Sequence, residues 1–240
     1  MIFEGALSTK AAIISSRRKV EKIYIEKNKN DRNTRFIIDR ANRKNIPIVF
    51  TSREEIDALA TGKTHGGIIA VVQERKYQNL KQVLKNKENS FICVLEGIED
   101  PFNLGYALRS LYSAGCDGVI LRKRDWTNCE SVIIKSSAAA SEYINWIESE
   151  DLAKDIAYCK SMGCCAFAAS RKNASSYFDA KFNQPLVLAI GGEIRGLSTE
   201  VLKEMDLSIY IPYANDFKNS LNASSAVAAL SFEIVRQRKG

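Results

Sequence analysis

A single histidine, His65, occurs in the 240 residues, and that scarcity excludes most chemistry built on imidazole. A zinc site of the usual His/Cys type is not supported, and a histidine-based nucleophilic triad is equally hard to assemble. The six cysteines, Cys93, Cys116, Cys129, Cys159, Cys164 and Cys165, form no Cys-x-x-Cys pair and show no regular spacing. They stand among Val, Ile and Ala, as in CCAFAA, and read as small buried hydrophobes rather than as metal ligands or disulfides. The phosphate loops G-x-G-x-x-G and G-x-x-x-x-G-K-[ST] are both missing. No apolar run approaches the roughly 18–20 residues a membrane span needs. The start, MIFEGALSTK, lacks a basic region followed by a long apolar stretch, so no secretory signal is expected and cytoplasmic residence follows. No internal repeat or low-complexity tract interrupts the chain.

What remains is a globular composition, 45% hydrophobic and 26% charged, enough to bury a full core. The net charge of +7 is uneven. Residues 1–90 hold 19 Lys/Arg against 10 Asp/Glu, or +9, and residues 91–240 hold the other 16 and 18, or −2. The basic excess therefore lies wholly in the first part. It suits a module that docks a polyanion, and charge alone leaves a merely solvated basic face equally open.

Residues 1–72 predict a small α/β unit. A helix is expected from Leu7 to Arg18, strands at 20–26, 46–50 and 67–72, a helix from Asp31 to about Lys44, and a short one behind Ser52 with Glu55 at the capping-box position. The polar, Lys-rich stretch 73–90 reads as a linker with one amphipathic turn. From 91 to 240 the strands become continuous apolar runs, at 91–97, 118–121, 164–169, 186–192 and 207–212. Such runs fit a parallel sheet covered on both faces. Helices are expected at about 103–114, 130–140, 151–162, 198–205 and 222–238, giving a doubly wound α/β domain.

Three strand ends carry unusual residues, and ligands of such sheets bind at the carboxyl ends of strands. In DPFNLGYALRS (100–110) Asn103 is expected to cap a helix, and Arg109 falls between the positions of its apolar face. In AIGGEIRGLS (189–198) the pair Gly191-Gly192 lets the backbone approach a ligand, with Glu193 at the mouth of the sheet. In IPYANDFKNSLNASSAVAAL (211–230) Asn222 is a cap for an Ala-rich helix. Taken one at a time, these are also ordinary capped helices and a glycine turn.

As an ordered set, D-P-F-N-L-G-x-x-x-R, G-G-E-x-x-G-L and I-P-Y…S-L-N-A-S resemble the three motifs of the SpoU (TrmH-type) family of the SPOUT superfamily. SSAAASE (136–142), THGGIIAVV (64–72) and FEG near the start extend the resemblance over nearly the whole chain. It points to the branch with a ribosomal-protein-like N-terminal substrate-binding domain. The resemblance implies a SPOUT-type α/β fold with a deep C-terminal trefoil knot, and a homodimer. It implies methyl transfer from S-adenosylmethionine to a ribose 2′-hydroxyl of RNA, chiefly large-subunit rRNA. A tRNA or resistance-type methyltransferase, or a non-catalytic RNA-binding protein of the same fold, stays open as the alternative. By position, Asn103, Arg109, Glu193, Ser220 and Asn222 match the family's catalytic set. Leu188, Ile190, Gly191, Gly192, Ile211 and Leu221 match its cofactor contacts, and no metal is implied. Three departures stand out: a longer loop after Ile211 with Asn215-Asp216 in place of glycine, Tyr213 where methionine is frequent, and Ala139 in place of a glycine.

Overall fold

A computed structural model describes residues 1–85 and 88–239. Asn86 and Lys87 of the expected linker lie outside the described residues. One compact unit combines residues 1–76 with 126–143, and the other runs from Tyr77 to Asp125 and from Ile144 onward.

The first unit is built on a four-stranded sheet in the order β1-β4-β2-β3. Its strands are β1 (Ile2–Glu4), β2 (Val20–Glu26), β3 (Ile48–Thr51) and β4 (Ile68–Val72). β4 is antiparallel to both neighbours, while β3 runs parallel to β2. Helices α1 (Gly5–Ser15), α2 (Arg32–Arg43) and α3 (Arg53–Leu59) connect the strands. Local chemistry sets their ends. Asp31 accepts from the Thr34 N–H at 2.9 Å, and Ser52 accepts from the Glu55 N–H at 3.3 Å, as the sequence predicts. α1 begins earlier than expected and stops short of Arg18, because Ser16 adopts a left-handed φ of 55°. Phe3, Ile13, Ile23, Ile25, Ile37 and Ile68 fill the core.

The segment 126–143 was expected to carry a helix over 130–140. The helix, α6, covers only Glu130–Ser136. Ala138 and Ala139 then take φ of 48° and 68°, and a 3₁₀ turn spans Ala140–Glu142. A residue with a Cβ is disfavoured in that left-handed region. Ala139 is nonetheless held there with its methyl in the core beside Ile134.

A buried ionic network ties this segment to the first 76 residues. Arg18 Nε donates to Glu142 at 2.9 Å and its Nη2 to Glu130 at 3.0 Å. Arg75 Nη2 donates to Glu142 at 2.6 Å and its Nε to Glu130 at 3.1 Å. All four side chains are at most 4% exposed. Burial opposes ionisation of Glu130, but Arg75 and Arg18 outweigh it and hold its carboxyl below the usual range. Two positive and two negative charges balance, so losing one is expensive. Glu142→Gln is expected to destabilise the protein by about 3 kcal/mol or more in urea unfolding. A loss below about 1 kcal/mol would place the network in water.

A second tie sets the acid limit. Burial again opposes charge on Glu4, yet Lys135 Nζ at 2.5 Å, the Thr61 hydroxyl and the Gly62 N–H draw its carboxyl down to about 2. A depressed carboxyl stabilises the folded form above the unfolded value near 4.5, and that stability is lost as pH falls toward 2. Thermal midpoints should therefore fall steeply between about pH 5 and 2. Glu4→Gln should flatten that fall, and an unchanged slope would rule Glu4 out as its source.

The second unit is a seven-stranded sheet in the order β7-β6-β5-β10-β8-β11-β9. The strands are β5 (Phe91–Glu96), β6 (Gly118–Arg122), β7 (Asn145–Ser149), β8 (Cys165–Ala169), β9 (Ser175–Ser176), β10 (Leu186–Gly191) and β11 (Leu207–Tyr210). Every neighbouring pair is parallel. All of β5 and Leu186–Ile190 of β10 are buried, as continuous apolar runs require. The edge strand β7, NWIES, went unpredicted because its polar residues break the apolar run. The helices are α4 (Leu80–Leu84), α5 (Pro101–Ser113), α7 (Leu152–Ser161), α8 (Thr199–Lys203) and α9 (Ala223–Lys239). α9 packs along α5 and also meets β10. Cys93, Cys116, Cys159 and Cys164 are buried, whereas Cys129 and Cys165 are partly exposed. Burial pushes the Cys159 thiol up to about 12. No described helix is long and apolar enough to cross a membrane.

Candidate active site

The three motifs meet at the carboxyl ends of β5, β10 and β11. α5 begins two residues earlier than the sequence suggested. Its cap is Asp100, whose carboxylate accepts from the Asn103 N–H at 2.7 Å, and Pro101 takes the first helical position. Proline suits that position because its missing N–H would be unpaired there anyway. Asn103 is thus not the cap, and its side chain is free for another partner. Its Nδ2 donates to Glu193 Oε1 at 3.3 Å, joining positions 90 apart in the chain.

The turn after β10 depends on two glycines. The Gly192 N–H donates to the Glu96 carbonyl at 2.7 Å, and the Gly196 N–H closes back on the Gly192 carbonyl at 3.0 Å. A Cβ on Gly192 would stand 2.1 Å from the Gly97 carbonyl oxygen, and one on Gly191 would stand 2.3 Å from the Gly196 carbonyl carbon. Only glycine lets these backbones touch. Glu96 anchors the same turn, accepting from the Ser198 N–H at 2.9 Å and from Arg122 Nη2 at 3.0 Å.

After β11 the loop returns to α9. Asn222 accepts from the Ser225 N–H at 2.8 Å and caps α9, as expected. The Tyr213 hydroxyl accepts from the Leu221 N–H at 2.9 Å.

Two cavities result. One of about 370 Å³ is lined by Ile190, Gly191, Gly192, Ile211, Ser220 and Leu221, with Ala226 and Leu230 of α9 behind. The other, about 710 Å³, is lined by Glu96, Asp100, Asn103, Arg122, Glu193 and Ser198. Glu193 and Ala223 border both. Five of the six expected cofactor contacts therefore line the first cavity. Leu188 does not: it is fully buried in β10, paired with Cys93 and Phe167, and supports the strand from within the core.

The expected catalytic residues divide. Asn103 and Glu193 come together at the wall between the cavities, with Ser220 on the first cavity's lining. Asn222 lines neither, its side chain being engaged in capping. Arg109 also lines neither. It is exposed and makes no hydrogen bond or ion pair among the described residues. From Asn103, six residues turn the helix by roughly a third of a circle and climb about 9 Å. Arg109 therefore shares the outer stripe of α5 with Phe102 and Tyr106, 53% and 48% exposed. Sequence reading overlooked Glu96, Arg122 and Arg171. A charge closing an apolar strand was the available signal for Glu96.

The first cavity fits S-adenosylmethionine chemically. Its lining sets Gly191, Gly192 and Gly196 beside the apolar Ile190, Ile211 and Leu221 and the polar Ser220 and Glu193, a mixture that suits a flat base with polar edges, and its size lies in the usual ligand range.

Residues 90–232 match the model of the SpoU rRNA Methylase family, and residues 4–78 match that of RNA 2′-O ribose methyltransferase substrate binding. The chain is 31% identical over 242 residues to a protein of Staphylococcus haemolyticus described as a TrmH family tRNA/rRNA methyltransferase, covering 99% of this chain and 96% of that one. A Bacillus subtilis protein of like description is 29% identical over 229 residues, with 94% and 91% covered. Among solved structures, an RNA 2′-O ribose methyltransferase aligns with a TM-score of 0.81 at 21% identity, covering 100% of this chain and 89% of that one. The SpoU methyltransferase AviRb from Streptomyces viridochromogenes, in complex with the cofactor AdoMet, aligns at 0.83 and 19%, covering 100% and 91%. At these identities the structures establish likeness of fold.

Proposed function

The chain belongs to the SpoU rRNA methylase family, and we propose that it transfers a methyl group from S-adenosylmethionine to a ribose 2′-hydroxyl of large-subunit ribosomal RNA, in the cytoplasm. The observation that carries this reading is the Asn103–Glu193 hydrogen bond. It joins the first two motifs at the wall between a cofactor-sized cavity and a larger open one.

Ile190, Gly191, Gly192, Ile211 and Leu221 hold the cofactor in this reading, and the larger cavity takes the acceptor nucleotide. The bound sulfonium supplies a methyl group already activated for transfer. The protein's task is then to align the hydroxyl and manage its proton. Asn103 fixes the Glu193 carboxylate, which would accept the hydroxyl proton as the new O–C bond forms and the methyl–sulfur bond breaks, its electron pair leaving with the neutral thioether. Arginine stays protonated in proteins, so Arg109 acts as a cation, holding an RNA phosphate and stabilising charge that develops on the ribose oxygen.

Arg109 reaches a site through a second copy of the chain. Phe102 and Tyr106 are exposed beside Arg109 on α5, and Phe232 is half-exposed on α9, the helix packed against it; exposed aromatic residues of this kind pair in homodimers. A dimer on that face would set Arg109 at the partner's Asn103–Glu193 wall. The trefoil knot implied by family membership would involve the same C-terminal segment. RNA capture falls to the basic residues 1–90.

The test is nucleoside mass spectrometry of rRNA and tRNA from cells with and without the gene, alongside calorimetry with S-adenosylmethionine. One 2′-O-methyl mark lost from rRNA and cofactor binding in the micromolar range are expected. A mark lost from tRNA would move the substrate assignment, and absence of binding at millimolar cofactor would leave a non-catalytic RNA-binding protein.

A further inference from the structure

The loop from Tyr213 to Leu221 is pinned by a side chain outside all three motifs. Arg171 follows β8. Its Nη1 donates to the Lys218 carbonyl at 3.2 Å and its Nη2 to the Asn219 carbonyl at 3.1 Å. The same guanidinium lies 4.4 Å from the centroid of the Tyr213 ring. The Tyr213 hydroxyl in turn receives the Leu221 N–H. The loop is thereby held near both its ends by one planar cation and one ring.

This pair also forms the wall between two spaces. Arg171 and Tyr213 line the 370 Å³ cavity, and they line a neighbouring 300 Å³ cavity with Phe217. Ser220 and Leu221, the third motif's contribution to the first cavity, follow directly on the two carbonyls that Arg171 holds. The clamp orders the loop in advance, and that lowers the entropy lost on binding.

We propose that Arg171 and Tyr213 are positioning residues that clamp the 213–221 loop into its cofactor-binding shape, and so set affinity for S-adenosylmethionine without entering the chemistry. This rests on the reading that the 370 Å³ cavity holds the cofactor. Lysine cannot replace the arginine, since a point charge neither forks onto two carbonyls nor stacks flat on a ring.

The experiment measures calorimetric Kd for S-adenosylmethionine, the KM and kcat of the dimer, and trypsin cleavage after Lys218 in cofactor-free protein. Arg171→Ala is expected to raise Kd and KM about tenfold, from loss of two charge-assisted hydrogen bonds and a stacked cation. Its kcat at saturating cofactor should stay within about twofold, and cleavage after Lys218 should accelerate. Arg171→Lys should recover only part of the affinity. Tyr213→Phe, which keeps the ring and removes the acceptor, should raise Kd roughly threefold and serves if the alanine variant does not fold. Unchanged Kd with unchanged cleavage would overturn the proposal, as would a fall in kcat at constant KM. If the unaltered protein binds no cofactor, the functional reading fails instead, and the cleavage rate still tests the clamp.

Discussion

Arg109→Ala is expected to lower methyl transfer by roughly 10²–10³-fold, the usual effect of removing one stabiliser of transition-state charge, while cofactor Kd stays within a few-fold. The asymmetry follows from position. Arg109 lies on the outer stripe of α5, away from the cavity lined by Gly191 and Leu221, so its loss leaves the cofactor's surroundings untouched. Under the proposal that it acts on a second copy, mixed dimers give a sharper test. Arg109→Ala and Glu193→Gln chains, each inactive alone, should regain activity when co-refolded, since one of the two sites then holds both intact side chains. Failure to recover any activity, with mixed dimers verified by mass, would mean that Arg109 serves its own chain. Unchanged turnover in the single variant would remove it from the reaction altogether.

Gly192→Ala is expected to lower cofactor affinity by two orders of magnitude and to destabilise the fold. The added methyl would sit 2.1 Å from the Gly97 carbonyl oxygen and 2.7 Å from its carbonyl carbon. Both obstacles are backbone, so no rotamer change relieves them. Separation of the two strand ends breaks the Gly192 N–H bond to Glu96 and shifts the turn that carries Glu193. Overpacking of this kind costs about 1–3 kcal/mol, or roughly 2–12 °C in thermal midpoint for a chain of this length. Gly115→Ala is the control. A Cβ there meets nothing within 4 Å, although φ is +78°, so it should lose only about 1–2 kcal/mol to backbone strain and bind cofactor normally. Equal affinity in both variants would show that the close approach of the two turns does not shape the cavity.

These outcomes depend on features of unequal visibility in the sequence. The apolar runs of β5, β8 and β10 were legible because strands buried on both faces need no alternation. The caps Asp31, Ser52 and Asn222 were legible because each satisfies N–H groups within three residues of itself. The cap of α5 was misplaced to Asn103 since DPFN offers two acceptors in a row, and only the geometry of Pro101 decides between them. β7 was overlooked because an edge strand can carry polar residues.

What the sequence determined by itself was the class of fold, the strand ends that carry the site and, through three ordered motifs, the family. Those are properties of local pattern, and pattern survives in one dimension. What the tertiary structure decided was partnership. It turned Leu188 into the core and away from the cavity lined by Gly191 and Leu221, gave Asn103 to Glu193, and placed Arg109 on an outer stripe. It drew residues 126–143 into the first unit through Arg18, Arg75, Glu130 and Glu142. It also set Arg171 across the loop that follows β11. Each of these joins residues tens of positions apart, or turns a side chain by a fraction of a helical turn. Spacing along a chain carries no record of either until the backbone has packed.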